Sequence, residues 1–301
     1  MASRRIEEQL EALTRVRSMP AGEALLALRR ALADRSNVVV AKAAKVAAEL
    51  DMREVIPEML AEFERLFEDP VKRDSQCWGK NAIAKTLREM DYGEGAPFLR
   101  GAQWVQMEPV WGGQADTAGT LRGICLLALP GCSDVRRESV MRFLLDALVE
   151  KDDAVRADAA RAIGSMGGED AALVLRLKAR TGDSAPAVTG QVFESLLAVE
   201  RSEGLDFVGG FLQPAGGEAA EEAALAIGSS RMERGAELLM AAWEEARGEE
   251  YRESILRALG ISRQDRASEF LRQVAEEGRE RDRAGARAAL ELMGNSGATR
   301  G

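Results

Sequence analysis

The run Asp152-Asp153-Ala154-Val155-Arg156-Ala157-Asp158-Ala159-Ala160-Arg161-Ala162-Ile163-Gly164 constrains this chain more than any other feature. An acidic pair stands where a helix N-terminus needs acceptors for its orphan amides. Val155, Ala159, Ala160 and Ile163 fall on one helical face, and Gly167 and Gly168 end the run. The same plan is a polar cap, small residues paired at mid-helix, and a Leu or Ile one turn later. It recurs from Asp34 (Ala43, Ala44, Leu50), Asp69 (Ala82, Ile83, Leu87), Asp116 (Ile124, Leu127) and Asp183 (Val192, Phe193, Leu196). It appears again from Glu218 (Ala223, Ala224, Ile227), Glu249 (Ile255, Leu259) and Glu280 (Ala288, Ala289, Leu292). Most intervals are 31 to 36 residues, and one widens to 47. Further helical patterns lie between these, over 137–149, 205–212 and 235–245, so each repeat holds two helices.

Small residues at the centre of every second helix let a neighbouring helix approach to about 8 Å. One such hairpin cannot bury both faces, whereas a stack can, with polar caps at its ends. The expectation is therefore an all-α solenoid of about eight helical hairpins in a single array over 1–301. Within it, 1–19 forms an N-terminal capping helix, 20–294 the repeats and 295–301 a frayed tail. Composition agrees: apolar residues make up 46% of the chain, aromatic ones only 5% and charged ones 30%, the balance of packed amphipathic helices.

The run at 152–164 resembles the bacterial HEAT-repeat consensus, including the HEAT-like repeats of phycobilin lyases. The units at 34, 218 and 280 resemble it less closely, and those at 69, 116, 183 and 249 less again. The resemblance implies a right-handed superhelix whose second helices line a concave, binding surface. It also implies that Arg156 bridges to an Asp of the adjacent unit, a reading that extends to Arg122 after Asp116 and Arg252 after Glu249.

Much chemistry is excluded by composition. The chain has no histidine, so Ser-His-Asp and Cys-His nucleophilic sites, His-containing zinc sites and the His-Glu iron sites of HEAT-repeat hydroxylases each lack a required group. Cys77, Cys125 and Cys132 have no CxxC spacing and suit buried thiols in a reducing compartment. No metal, cofactor or catalytic residue is predicted. Gly112-Gly113, Gly209-Gly210 and Gly216-Gly217 lack the Lys-Ser/Thr of a phosphate loop and read as turns. Paired glutamates such as Glu221-Glu222 point about 100° apart on a helix and cannot converge on one bond. The chain has no apolar run long enough for a membrane span and no secretory core, which predicts a cytoplasmic protein.

Two sets of residues are candidates for contact with a partner. The stretch 101–119 reads as a long irregular loop carrying Trp104, Met107 and Trp111, with Arg122 just beyond, and loops on rigid repeats favour binding. The alternative is that Trp104 packs on the preceding helix and Trp111 folds over a groove. The second set is the polar stripe Lys42, Lys45, Trp78, Lys80 and Lys85, which can also be a solvated face. The net charge is −9, yet residues 1–100 hold 17 basic and 17 acidic side chains, so the excess acidity lies beyond them. Nucleic acid is therefore a disfavoured partner. The reading is a non-catalytic protein-binding scaffold with an unidentified protein partner. Its alternatives are a nucleic-acid-binding or glycosylase-like HEAT protein and, further off, a bilin-lyase-like chaperone.

Overall fold

The computed structural model describes residues 2–294, and the expected frayed tail at 295–301 lies outside them. The chain is mostly helical and divides into two compact units, Met1–Ala162 and Ile163–Gly301. The first contains α1 (Ala2–Arg15), α2 (Ala21–Leu32), α3 (Asn37–Glu49), α4 (Ile56–Arg65), a single turn α5 (Pro70–Arg73), α6 (Trp78–Glu89), α7 (Ala96–Ala102), α8 (Gly119–Ala128) and α9 (Arg137–Ala147). The boundary falls within α10 (Asp153–Met166). The second contains α11 (Gly168–Thr181), α12 (Pro186–Gly209), α13 (Glu218–Ser230), α14 (Glu233–Glu245), α15 (Glu249–Ser262), α16 (Asp265–Glu277) and α17 (Glu280–Gly294). α12 is broken at Arg201, which has φ 39° and ψ −97°.

Local chemistry explains the starts of these helices. Asp34, Asp116, Asp152 and Asp183 each accept, through Oδ1, the amide two residues on, at 2.9 to 3.0 Å, and so fold the chain into the following helix. Asp69 does not do this for α6. Instead Asp74 receives the amides of Gly79 and Lys80 at 2.7 and 3.0 Å, and the helix begins later than the repeat spacing implied.

In each unit the second helices pack in series, α3 on α6 and α6 on α8, then α12 on α13, α13 on α15 and α15 on α17. Their mid-helix residues, Ala43, Ala44, Ile83, Ala84, Ala223, Ala224, Ile255 and Leu259 among them, are fully buried. Larger side chains such as Leu28, Phe63, Phe98 and Phe193 fill the space between helix layers.

The stretch 101–119 corrects the expectation of an irregular loop within an all-α chain. It completes α7 and then forms an antiparallel hairpin of β1 (Met107–Val110) and β2 (Gly113–Asp116), with Met107 opposite Asp116 and Val110 opposite Gly113. Gly112, at φ 88°, supplies the left-handed residue of the two-residue turn. The polar Gln106 and Glu108 point inward and are buried, while Val105, Met107 and Trp111 are exposed.

Candidate functional site

In the first unit, α3, α6 and α8 turn one face each to a shared groove of about 900 Å³. Helical spacing places Val38, Ala41, Lys45 and Ala48 along one wall and Trp78, Ala82 and Lys85 along the next, with Leu10 of α1 and Ile124 of α8 completing the lining. The lining is largely apolar, and Ala41, Ala48 and Ala82 put little side chain into the groove. Trp78 is 54% exposed and Val38 39%, large apolar side chains left uncovered within the groove.

The rim carries both signs, Lys42, Lys45 and Lys85 beside Glu49 and Glu89. Lys42 is half-buried and Lys45 exposed, and among the described residues neither has an ion-pair partner. Lys85 stands 3.7 Å from Glu89, and the nearby Glu49 is occupied by Arg17. Asn81 adds a buried Oδ1 with no hydrogen-bond partner. Such an acceptor lacks its usual compensation until a donor arrives.

Trp78 is held at the first position of α6 by a polar cluster outside the groove. Its indole N–H donates to Oε1 of Gln76 at 3.1 Å. Gln76 and Cys77 both adopt left-handed backbone, with φ of 58° and 55°, which costs a non-glycine residue about 1–2 kcal/mol. Glu108 of β1 offsets that cost. Its Oε1 accepts the Gln76 amide at 2.5 Å and Thr117 Oγ1 at 2.8 Å, and its Oε2 accepts Ser75 Oγ at 2.8 Å. Burial would raise the Glu108 carboxyl, but these bonds and the one from Gln106 Nε2 hold it below the usual carboxylate range.

The groove gathers Lys42, Lys45, Trp78 and Lys85. Lys80 is not on that face. It is fully buried and ion-paired with the equally buried Asp74 at 2.9 Å, and its Nζ also donates to the Leu66 carbonyl at 3.1 Å. Arg122 is likewise no surface contact. It is 4% exposed, with Nη1 donating to Asp116 Oδ2 at 2.6 Å and to the Trp104 carbonyl at 2.9 Å, and so it pins the end of the hairpin. Trp104 meets Phe67 edge to face at 4.8 Å and donates to Gln106 Oε1. Met107 is 46% exposed, and Trp111, at the hairpin tip, is fully exposed and does not fold over the groove.

Elsewhere, Arg252 makes two hydrogen bonds to Asp282 on the following second helix, at 3.1 and 3.2 Å, and stacks over Trp243. Arg156 donates to the carbonyls of Glu150 and Lys151. Burial pushes the Cys77 thiol up to about 12 and Cys132 up to about 11, and raises Cys125 as well, so none is a ready thiolate. Among the described residues no group of three His, Cys, Asp or Glu side chains is placed to hold a metal ion, and no helix is long and apolar enough to cross a membrane.

Sequence reasoning did not find Asp74, Gln76, Asn81, Gln106 or Glu108. A partial signal existed for the hairpin: Gly112-Gly113 marks a turn, and Gln106-Met107-Glu108 before it and Gln114-Ala115-Asp116 after it alternate polar and apolar.

No protein-family model matches the chain, and no curated protein does. Among solved structures, the chain is similar to human deoxyhypusine hydroxylase in complex with glycerol, at 16% identity over 95% of this chain and 89% of that one, with a TM-score of 0.30. It is also similar to an engineered protein, at 14% identity over 96% and 87%, with a TM-score of 0.38. What marks the chain as a helical repeat is its own serial packing of second helices, and nothing among these neighbours marks the phycobilin-lyase subtype. The expectation of a non-catalytic scaffold is corrected here. One similar solved structure bears the name of a hydroxylase, and a stack of helical hairpins is an architecture rather than a function, so the expectation and its alternatives are set aside.

Proposed function

We propose that this protein binds a small amphipathic anion, an apolar body ending in a carboxylate, sulfonate or phosphate, in the groove of its first unit. One observation carries the reading: a 900 Å³ groove lined by alanines and an exposed tryptophan holds two lysines without an ion-pair partner among the described residues, Lys42 and Lys45, while its glutamates, Glu49 and Glu89, stand against Arg17 and Lys85, in a chain of net charge −9. That volume lies in the range of about 300–1,000 Å³ usual for small-molecule sites. The HEAT-type, right-handed stacking of hairpins is the arrangement this reading assumes for the second helices that build the walls.

The two parts of the ligand contribute unequally. Exposed lysine–anion pairs are worth only about 0.2–1 kcal/mol each, so they orient the ligand and select its sign. Affinity comes from the apolar body, at up to about 0.8 kcal/mol for each methylene removed from water. Calorimetry with octanoate, decanoate and dodecanoate should therefore show one site whose affinity rises with chain length. Trp78→Ala should weaken it, and Lys42→Glu with Lys45→Glu should abolish the preference for decanoate over decyltrimethylammonium. Equal binding of that cation by the unaltered protein would refute the reading.

A further inference from the structure

We infer that Glu108, on the hairpin and not among the groove-lining residues, is a positioning residue for the groove, setting the indole of Trp78 through Gln76; this rests on reading the groove as a ligand site. Trp78 is the one aromatic side chain in the lining, and its N–H is committed to Gln76 Oε1. Gln76 presents that oxygen only because its backbone is left-handed, with φ 58° and ψ 20°. Within the link 74–77 the backbone contributes one internal hydrogen bond, Cys77 N–H to the Asp74 carbonyl at 3.1 Å. Asn37 Nδ2 of α3 donates to Asp74 Oδ1 at 3.1 Å and to the Ser75 carbonyl at 3.3 Å, and Asp74 is tied to α6, but the restraint on Gln76 itself comes from the hairpin. Both oxygens of Glu108 hold the link, at Gln76 N–H and Ser75 Oγ, and Gln106 Nε2 bridges Glu108 Oε1 and the Asp74 carbonyl at 2.7 and 2.8 Å.

Glu108 is itself fixed. It is 5% exposed, and Thr117 Oγ1 closes on the same Oε1 that receives the Gln76 amide. The result is a relay of hydrogen bonds running from a strand through a strained link to an indole ring. A change at β1 that never touches the ligand therefore reaches the surface on which the ligand lies.

Two substitutions separate this relay from simple damage to the fold. Glu108→Gln removes the negative charge that holds three donors on one oxygen and turns the other oxygen into an N–H₂ facing Ser75 Oγ, whose hydroxyl must then accept rather than donate. Gln76→Asn keeps a residue at ease with left-handed φ while its shorter amide falls short of the indole. In full-length protein labelled with 5-fluorotryptophan and assigned by Trp78→Phe, each substitution should move the Trp78 fluorine resonance and leave that of Trp243 in place. Each should weaken decanoate binding by roughly threefold or more, and the double variant should be no weaker than the worse single, as expected of two links in one path. A Trp78 resonance unmoved by both substitutions, or effects on affinity that multiply, overturns the relay. Failure of the unaltered protein to bind decanoate would instead overturn the groove's function, while the fluorine shifts, measured without ligand, still decide the relay.

Discussion

Lys80 and Asp74 are fully buried, 2.9 Å apart, and satisfied further by the Leu66 carbonyl and by the amides of Gly79 and Lys80. Such a pair adds little net stability over an apolar equivalent, but removing one member leaves an uncompensated charge. Lys80→Met should therefore cost about 3–5 kcal/mol in urea unfolding, and adding Asp74→Asn should recover part of it. An unchanged midpoint for Lys80→Met would show the pair to be solvated. The sequence put Lys80 beside Lys42, Lys45 and Lys85 because all stand on second helices. Yet Lys80 is two residues, or about 200°, round α6 from Trp78, and only the tertiary packing says which face is which.

Glu108 and Asp116 form a second polar centre at the same scale. For Asp116, burial would raise the carboxyl, but the amides of Gln106 and Ala118 and the Arg122 guanidinium hold it below its ordinary range, as the bonds to Glu108 do there. Both folded values are depressed, so their contribution to stability is complete above the unfolded carboxylate pKa of about 4 and is lost as pH falls through the folded values. The stability advantage of the native chain over Glu108→Gln should accordingly hold at neutral pH and shrink in denaturant titrations taken below about pH 4. A gap independent of pH would contradict the assignment.

At the scale of elements, the close approach of second helices becomes backbone contact in the second unit. A methyl group added at Gly228 would meet the Ala258 carbonyl, and one at Gly260 would meet that of Ala289. Alanine in a helix interior gains about 0.5–1 kcal/mol over glycine, whereas overpacking costs about 1–3 kcal/mol, so the clash decides the sign. Gly260→Ala should lower the melting temperature even though it raises helix propensity; a rise would mean that α15 and α17 stand further apart than described. The helices themselves were legible, since α3, α8, α10, α12, α13, α15 and α17 start within three residues of their predicted caps. The start of α6 was not, because its cap, Asp74, is reached across a link whose conformation depends on Glu108, 34 residues away.

For the whole molecule, charge distribution matters more than total charge. Residues 1–100 are balanced, and the acidity lies beyond them, so a groove whose two glutamates stand against Arg17 and Lys85 and whose Lys42 and Lys45 have no such partner among the described residues can attract an anion in a protein of net charge −9. Its electrostatic share is exposed and screened over about 8–10 Å at physiological salt. Decanoate affinity should therefore fall only a few-fold between low and high salt, while the dependence on chain length persists; a collapse by orders of magnitude would show that the lysines, not the apolar lining, carry binding.

Periodicity fixed by itself that this chain forms paired helices with small residues at their contacts, because spacing along one strand of chain is enough to define a helical face. It also grouped Lys42, Lys45, Trp78, Lys80 and Lys85 as one stripe, of which Lys42, Lys45, Trp78 and Lys85 share a face. Only the tertiary structure decided that they flank a groove, that Lys80 and Arg122 are interior, and that 107–116 is a hairpin reaching back to Trp78. Each of those depends on which distant carboxylate meets which donor, and hydrogen bonds between residues more than 30 positions apart leave no period in the sequence.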